Sequence, residues 1–299
     1  MNPVAHCIIR KMKKKILITG SSGHSGNQIS NLLKEKYDVV GVDLVEGEHT
    51  HHRGSLTDRD FVFRIANGMS AIIHTASLHA PHVATHSRKD FIDTNISGTL
   101  NLLEASGANG VTKFIYTSTT SLYGESLNNE NEAVWITEET PTIPRDIYDI
   151  TKIAAEGLCR DFFSKDGLQT SVLRISRFWN ESMERRLFYR MYRGLDVRDV
   201  ALAHQLAIEK EFLQFDIFNI SAQSIFTKDD LFDLKHNLGK LLEKKIPELI
   251  TYYKMMNWAI PDSIDRVYVI DKARRDLGYE PAYNIERMLN DQIKTTSQS

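Results

Sequence analysis

Cysteine is almost absent from this sequence. Two residues, Cys7 and Cys159, in a chain of 299 are too few and too far apart for a disulfide framework, which fits a reducing compartment such as the cytoplasm. An excess of either charge is missing too. The 37 Lys and Arg against 39 Asp and Glu leave a net charge of -2, so nothing marks a nucleic-acid or membrane surface as partner. No apolar run approaches the roughly 20 residues that span a bilayer. The opening MNPVAHCIIRKMKKK is basic, but no long apolar stretch and cleavage site follow, so it does not read as a secretory signal. A strand begins directly after Met12, which makes residues 1–11 an expected upstream, disordered extension. Internal repeats and low-complexity linkers are absent. What is present, 41% hydrophobic and 25% charged residues, suffices for one large domain or a domain with a smaller lobe.

Short apolar runs recur along the chain as KILIT (15–19), YDVVGVD (37–43), AIIHTAS (71–77), KFIYTSTTSLYG (113–124), TSVLRIS (170–176) and DIFNIS (216–221). Between them, residues 24–36, 89–106 and 147–164 carry helical periodicity. Strands alternating with helices predict a doubly wound parallel sheet. After Ser221 the pattern changes. Thr227 ahead of Lys228, Asp229 and Asp230 resembles a helix cap before a long amphipathic run. The expected layout is an α/β domain over 12–175, rejoined by 195–221, with a smaller, mostly helical substrate lobe from 176–194 and 222–299.

The stretch ITGSSGHSGNQI sets Gly20, Gly23 and Gly26 three apart between the first strand and the first helix. Gly20 suits a tight turn, Gly23 lets backbone approach a pyrophosphate, and Gly26 lets helix pack close to sheet. The helix N-terminus then offers N–H groups and a positive dipole end to phosphates. Asp43 ends the next strand, 17 residues beyond Gly26. An acid there hydrogen-bonds ribose hydroxyls and repels a 2′-phosphate, which favours NAD over NADP. The domain is therefore read as Rossmann-like.

YDITK places Tyr148 and Lys152 one turn apart on a helix face. A phenol is a poor base near neutral pH, and a neighbouring ammonium is expected to lower its pKa. About thirty residues upstream, YTSTTSLYG offers hydroxyls at a strand end. With the glycine turn, this resembles the extended branch of the short-chain dehydrogenase/reductase superfamily, the NAD-dependent epimerases and dehydratases related to UDP-glucose 4-epimerase.

The resemblance covers nearly the whole chain and implies roles. TGSSGHSG, with Ser22, His24 and Ser25 among the glycines, matches the nucleotide motif and Asp43 the ribose acid. Asp58, with Leu56 just before it in GSLTD, matches the residue near the adenine amine. Thr75, Ala76 and Ser77 of HTAS match the strand end along the cofactor, and Asn95 in DTNISGT the residue that supports the site. By the family pattern Thr119 holds the reacting hydroxyl, Tyr148 transfers its proton and Lys152 binds the nicotinamide ribose. IDKARRDLGYEP matches the branch's C-terminal motif.

Departures bear on substrate. Thr120 and Ser121 stand where sugar-nucleotide dehydratases carry Asp and Glu, which argues against water elimination. Arg177 replaces an Asn often found near the diphosphate in epimerases. Tyr192-Arg193 replaces an Arg-Asp pair, and the stretch 182–194 is shorter than the usual nucleotide-embracing insertion. Arg177 and Arg193 together are expected to clamp a diphosphate or carboxylate. His79 and His82, in the loop after the cofactor strand, and Arg145 are further substrate candidates. His79, His82 and His86 read as loop or substrate residues rather than a metal site. His49, His51 and His52 read as solvated loop, Cys159 as packing, and Trp135, Phe178 and Trp179 as core or pocket wall.

Helices 89–106 and 147–164 carry surplus apolar residues, Ile92 and Ile150 among them, so a homodimer is expected. The reading is an NAD-dependent enzyme, epimerising a sugar or nucleotide-sugar by transient hydride transfer. Net dehydrogenation or carbonyl reduction of a smaller sugar-like substrate is the alternative. A non-catalytic dinucleotide sensor is the reading of another class; such proteins typically lack the Tyr–Lys pair.

Overall fold

Strand runs without a polar alternate need cover on both faces, and the chain supplies it. The computed structural model describes residues 13–297, and the expected extension over 1–11 lies outside the described residues. Seven parallel strands take the order β3-β2-β1-β4-β5-β7-β8. They are β1 (Lys15–Thr19), β2 (Asp38–Asp43), β3 (His52–Arg53), β4 (Ala71–His74), β5 (Lys113–Thr119), β7 (Gln169–Ile175) and β8 (Asp216–Ile220). The order reverses between β1 and β4, and that switch point opens a crevice at the strands' carboxyl ends, where such folds bind ligand.

Alternation along β1 divides the two cores. Ile16 and Ile18 pack with Ile29 and Leu33 of α1 (His24–Leu33) and with Ala203 and Ala207 of α7 (Val197–Glu209). Leu17 points the other way, towards Val62 of α2 (Arg59–Ala66), Leu102 of α4 (Gly98–Ala108) and Cys159 of α5 (Ile147–Asp166). A third core fills the smaller lobe. It joins α6 (Met183–Arg190), α8 (Leu231–His236), α9 (Leu238–Lys245), α10 (Pro247–Met255) and α11 (Ile285–Thr296) around Leu187, Leu234, Leu242, Tyr253 and Leu289. A two-stranded parallel pair, β6 (Val134–Ile136) with β9 (Arg266–Tyr268), borders it. Ile270, Ala273, Leu277 and Tyr279 return to the sheet's core before α11. Thr227 and Asp230 form the capping box at the lobe's entry.

Three segments differ from the sequence reading. β5 stops at Thr119 rather than running to 124, because the Thr119 hydroxyl accepts the Ser121 N–H (3.1 Å) and caps a 3₁₀ turn over Thr120–Tyr123. The helix expected over 89–106 is α3 (Arg88–Phe91), a π-helical segment Ile92–Ser97, then α4. One extra residue per turn there leaves no trace in apolar periodicity, and such bulges gather at functional sites. Of the histidines expected in a solvated loop, His51 and His52 are exposed, although His51 Nδ1 accepts the Gly41 N–H (3.0 Å) and His52 pairs in β3; His49 instead is buried. Among the described residues no helix is long and apolar enough to cross a membrane.

Candidate active site

Gly20 sits at φ +71°, and a Cβ there would lie 2.8 Å from the Thr75 hydroxyl and 2.9 Å from the Ala76 nitrogen. A Cβ on Gly26 would stand 2.1 Å from the Gly20 carbonyl oxygen, so helix α1 reaches the turn only because that atom is missing. Gly23 is the N-cap of α1 in extended conformation, and no side chain caps it and no acid occupies its first turn. The first-turn N–H groups and the dipole end at His24 and Ser25 are thus left for an anion. The His24 ring stacks on Phe178, centroids 6.0 Å apart. Thr75 donates to the Thr19 carbonyl (2.6 Å) and closes the end of β4 over the turn, with Ala76 beside it donating to the Thr19 hydroxyl (3.2 Å).

Asp43 ends β2 beside this turn. Its Oδ2 accepts the Ser22 N–H (3.0 Å) and its Oδ1 the Leu44 N–H (2.7 Å), which fixes the carboxylate at the crevice edge. Leu56 is buried under α4, its carbonyl held by Asn101 (2.8 Å). Asp58 spends one oxygen as the cap of α2, accepting the Phe61 N–H (3.1 Å). The glycine cradle, open helix end and fixed acid together fit a dinucleotide. An Asp43→Ser variant is expected to lose about 10- to 100-fold in NAD affinity, the worth of charge-assisted hydrogen bonds, and to narrow the gap between NAD and NADP. Titrating both nucleotides against both proteins checks it.

Three consecutive residues of β5 meet α5 at one-turn intervals. The Thr117 carbonyl accepts from Lys152 Nζ (2.7 Å), the Ser118 hydroxyl donates to Glu156 (2.6 Å), and the Thr119 side chain interacts with the Tyr148 phenol. Tyr148 and Lys152 are both buried. Burial drives the phenol above its ordinary value, Thr119 pulls it back, and Asp149 and Asp146 push it further up. The expected lowering by the lysine is therefore absent. The Lys152 ammonium instead turns to Thr117 and lies 4.4 Å over the Tyr116 ring. Burial lowers Lys152 to about 7, so it is near balance between charged and neutral forms at neutral pH. Asn95, buried in the π segment, donates to the Leu78 carbonyl (3.0 Å) and the Thr151 hydroxyl (3.0 Å) and accepts from Ser77 (3.2 Å). It ties the loop after β4 to α5.

His79 stands edge-on to Tyr148 (6.2 Å) and to Trp179 (6.3 Å). Burial, with Lys152 adding to it, lowers His79 to about 4, so it stands there as neutral imidazole. His82 accepts the His79 N–H (2.8 Å) and shapes the loop. Arg145 braces the turn after β5, donating to the Ser121 carbonyl (3.2 Å) and to Asp149 (3.5 Å).

The expected clamp of Arg177 with Arg193 is not formed. The Tyr189 ring takes both guanidinium groups, at 5.5 and 4.4 Å, and they line different cavities. Arg177 pairs with Glu181 (2.5 Å). It shares a cavity of about 460 Å³ with Arg186, Arg190, Arg198 and Trp179. These three arginines escaped the sequence reading. The signal for two of them lay in MERRLFYR, which sets Arg186 and Arg190 one helical turn apart. Arg198 pairs with Asp196 (2.8 Å); the buried Arg190 reaches the same carboxylate (3.7 Å) and donates to the Tyr283 carbonyl (2.6 Å), its Nε alone lacking a hydrogen-bond partner.

An open glycine turn, an acid at the adjacent strand end and a buried Tyr–Lys pair fit a nicotinamide-linked enzyme of the Rossmann type. The chain belongs to the NAD dependent epimerase/dehydratase family, whose model it matches over residues 16–193. Members are NAD-dependent epimerases and dehydrogenases of the extended short-chain type. The chain is 25% identical to a 3-beta-hydroxysteroid dehydrogenase of Mycolicibacterium neoaurum over 92% of this chain and 89% of that one. UDP-glucose 4-epimerase of Thermotoga maritima, solved with UDP-glucose, superposes with TM-score 0.68 at 24% identity, covering 94% and 99% of the two chains. A short-chain dehydrogenase/reductase superfamily protein of Agrobacterium tumefaciens, solved with bound NAD, gives TM-score 0.69 at 22% identity over 95% and 97%.

Proposed function

We propose that this protein oxidises and re-reduces a hydroxyl-bearing carbon of a sugar-like substrate that carries an anionic group. The observation that carries this reading is the run Thr117, Ser118, Thr119 meeting Lys152, Glu156 and Tyr148 across one strand–helix contact. NAD, when bound, supplies the hydride acceptor. Gly20, Gly23, Gly26 and Asp43 would hold it, with Thr75, Ser77 and Lys152 along its nicotinamide side. Thr119 orients the reacting hydroxyl and Tyr148 takes its proton, the role of a positioned general base. Uncharged His79 and the Trp179 edge flank the sugar without placing a fixed charge beside the reacting carbon. Arg177, Arg186 and Arg190 receive the anionic end, a carboxylate or phosphate, whose planar acceptors suit guanidinium donors.

Epimerisation of a sugar or nucleotide-sugar is the first form of this reading: the ketone turns within the site and takes the hydride back on its other face. Net dehydrogenation is the second, favoured by the single short helix α6 that lies between β7 and α7 and by a cavity of about 460 Å³. A sensor role is disfavoured by the buried Tyr148 and Lys152. Incubating the protein and NAD with sugar acids, sugar phosphates and UDP-sugars tests all three. Epimer formation without a 340 nm signal marks the first form and stoichiometric NADH the second. Neither product from any substrate would overturn the catalytic reading.

We also assign it to the cytoplasm as a homodimer. Cysteine usage supports the first. For the second, Ile92 and Ile150 stay 43% and 49% exposed on adjacent helical segments, while Phe91 and Leu103 are absorbed in the monomer's core. Sedimentation at micromolar concentration is expected to give twice the chain mass, and a monomer there would refute the assignment.

A further inference from the structure

Glu156 lies one helical turn beyond Lys152, on the same face of α5 and equally removed from solvent. Its Oε1 accepts from Ser118 (2.6 Å) and from Arg174 Nε (3.1 Å), and its Oε2 from Arg174 Nη2 (2.7 Å). Ser118 and Arg174 are themselves partners in the β5–β7 register. The guanidinium's remaining nitrogen reaches the Tyr123 hydroxyl (3.1 Å), which donates onward to Asn219 (2.6 Å). Three such bonds fix the carboxylate in place. Buried ion pairs of this kind add little net stability over well-packed apolar side chains, so stability alone does not account for one at this position.

We propose that Glu156 is a positioning residue for Lys152: its carboxylate, anchored by Ser118 and Arg174 one helical turn away, favours the charged form of the buried amine that the Thr117 carbonyl holds against β5. This rests on the catalytic reading of Lys152 given above. The groups packed around Lys152 leave no other anion to do so among the described residues. On α5, Tyr148 and Cys159 are both kept neutral by burial, which raises the phenol and the thiol. On β4 and its loop, His74 and His79 are lowered to about 3 and about 4 and carry no charge. β5 contributes the Tyr116 ring and the Thr117 carbonyl, and β7 only the cation Arg174. Against burial, Glu156 is the leading influence that raises Lys152.

The test is direct titration of Lys152 by ¹³C NMR of lysine-labelled protein, without nucleotide, the signal identified by its loss in K152R. Glu156→Gln keeps the shape and removes the charge. Its Lys152 midpoint is expected to fall by about one pH unit, since a charge within a turn shifts a neighbour by one to three. The alkaline limb of kcat/KM should move to lower pH with it. E156Q/R174M removes both charges and leaves no unpaired guanidinium; it is expected to restore thermal stability, with a Lys152 midpoint above that of E156Q because a neighbouring cation has gone as well. E156D should keep the wild-type midpoint more nearly than E156Q. An unchanged midpoint in E156Q would overturn the proposal. A lowered midpoint beside undiminished turnover in a Tyr148 variant would instead count against the catalytic reading and leave this one standing.

Discussion

Replacing Tyr148 by Phe should cost about 10³-fold in kcat, within the range of a lost general base, while NAD affinity stays within a few-fold of wild type. The phenol is buried and interacts with Thr119 at the end of β5, so removing its oxygen leaves the helix packing and the glycine turn untouched. Burial keeps the phenol protonated, with its pKa above the ordinary value of 10. It is therefore poised first as a proton donor to a carbonyl oxygen, and becomes an acceptor only when a charged Lys152 and a substrate hydroxyl supplant its present surroundings. Rapid-mixing kinetics at 340 nm, with nucleotide titration in parallel, separates loss of chemistry from loss of binding. A variant that turns over at more than a tenth of the wild-type rate would remove Tyr148 from the mechanism.

Gly26→Ala is expected to have the largest effect on the cofactor. The new methyl would sit 2.1 Å from the Gly20 carbonyl oxygen and 2.7 Å from its carbon, so α1 must move away from the turn or the turn must open. Overpacking of this kind costs about 1–3 kcal/mol. It also displaces the N–H groups that face the phosphates, so NAD affinity should fall by about 100-fold or more, the equivalent of two or more charge-assisted hydrogen bonds. Gly107→Ala is the control: a Cβ there meets nothing within 4 Å, and the site is helical. That variant should gain up to about 1 kcal/mol, because Ala loses less backbone entropy than Gly. Thermal unfolding and equilibrium titration of both variants read the two outcomes.

Local chemistry accounts for what was legible beforehand. The glycine turn, Asp43 and the Tyr148–Lys152 spacing each depend on residues close in sequence, and the strand–helix alternation is periodic. The rest depends on packing between distant elements. Arg177 and Arg193 look like one clamp in sequence, yet the Tyr189 ring keeps them in separate cavities. Arg186 and Arg190 gain meaning only when α6 folds over the crevice beside Trp179. The direction of the Tyr148 shift was misjudged because it follows burial, which spacing does not report. The π segment that carries Asn95 was not legible, since a single inserted residue barely disturbs apolar periodicity. Glu156 was passed over for a similar reason: its partners, Ser118 and Arg174, lie on two other elements.

The most direct measurement is the identity and amount of nucleotide released on denaturing freshly purified protein, before and after dialysis against NAD, by mass spectrometry. The account predicts NAD or NADH at one per chain after loading, retained through dialysis if the reaction is epimerisation and exchangeable if it is net oxidation. Stoichiometric NADP would contradict the role of Asp43, and no nucleotide retained or bound at millimolar NAD would contradict the cofactor site itself.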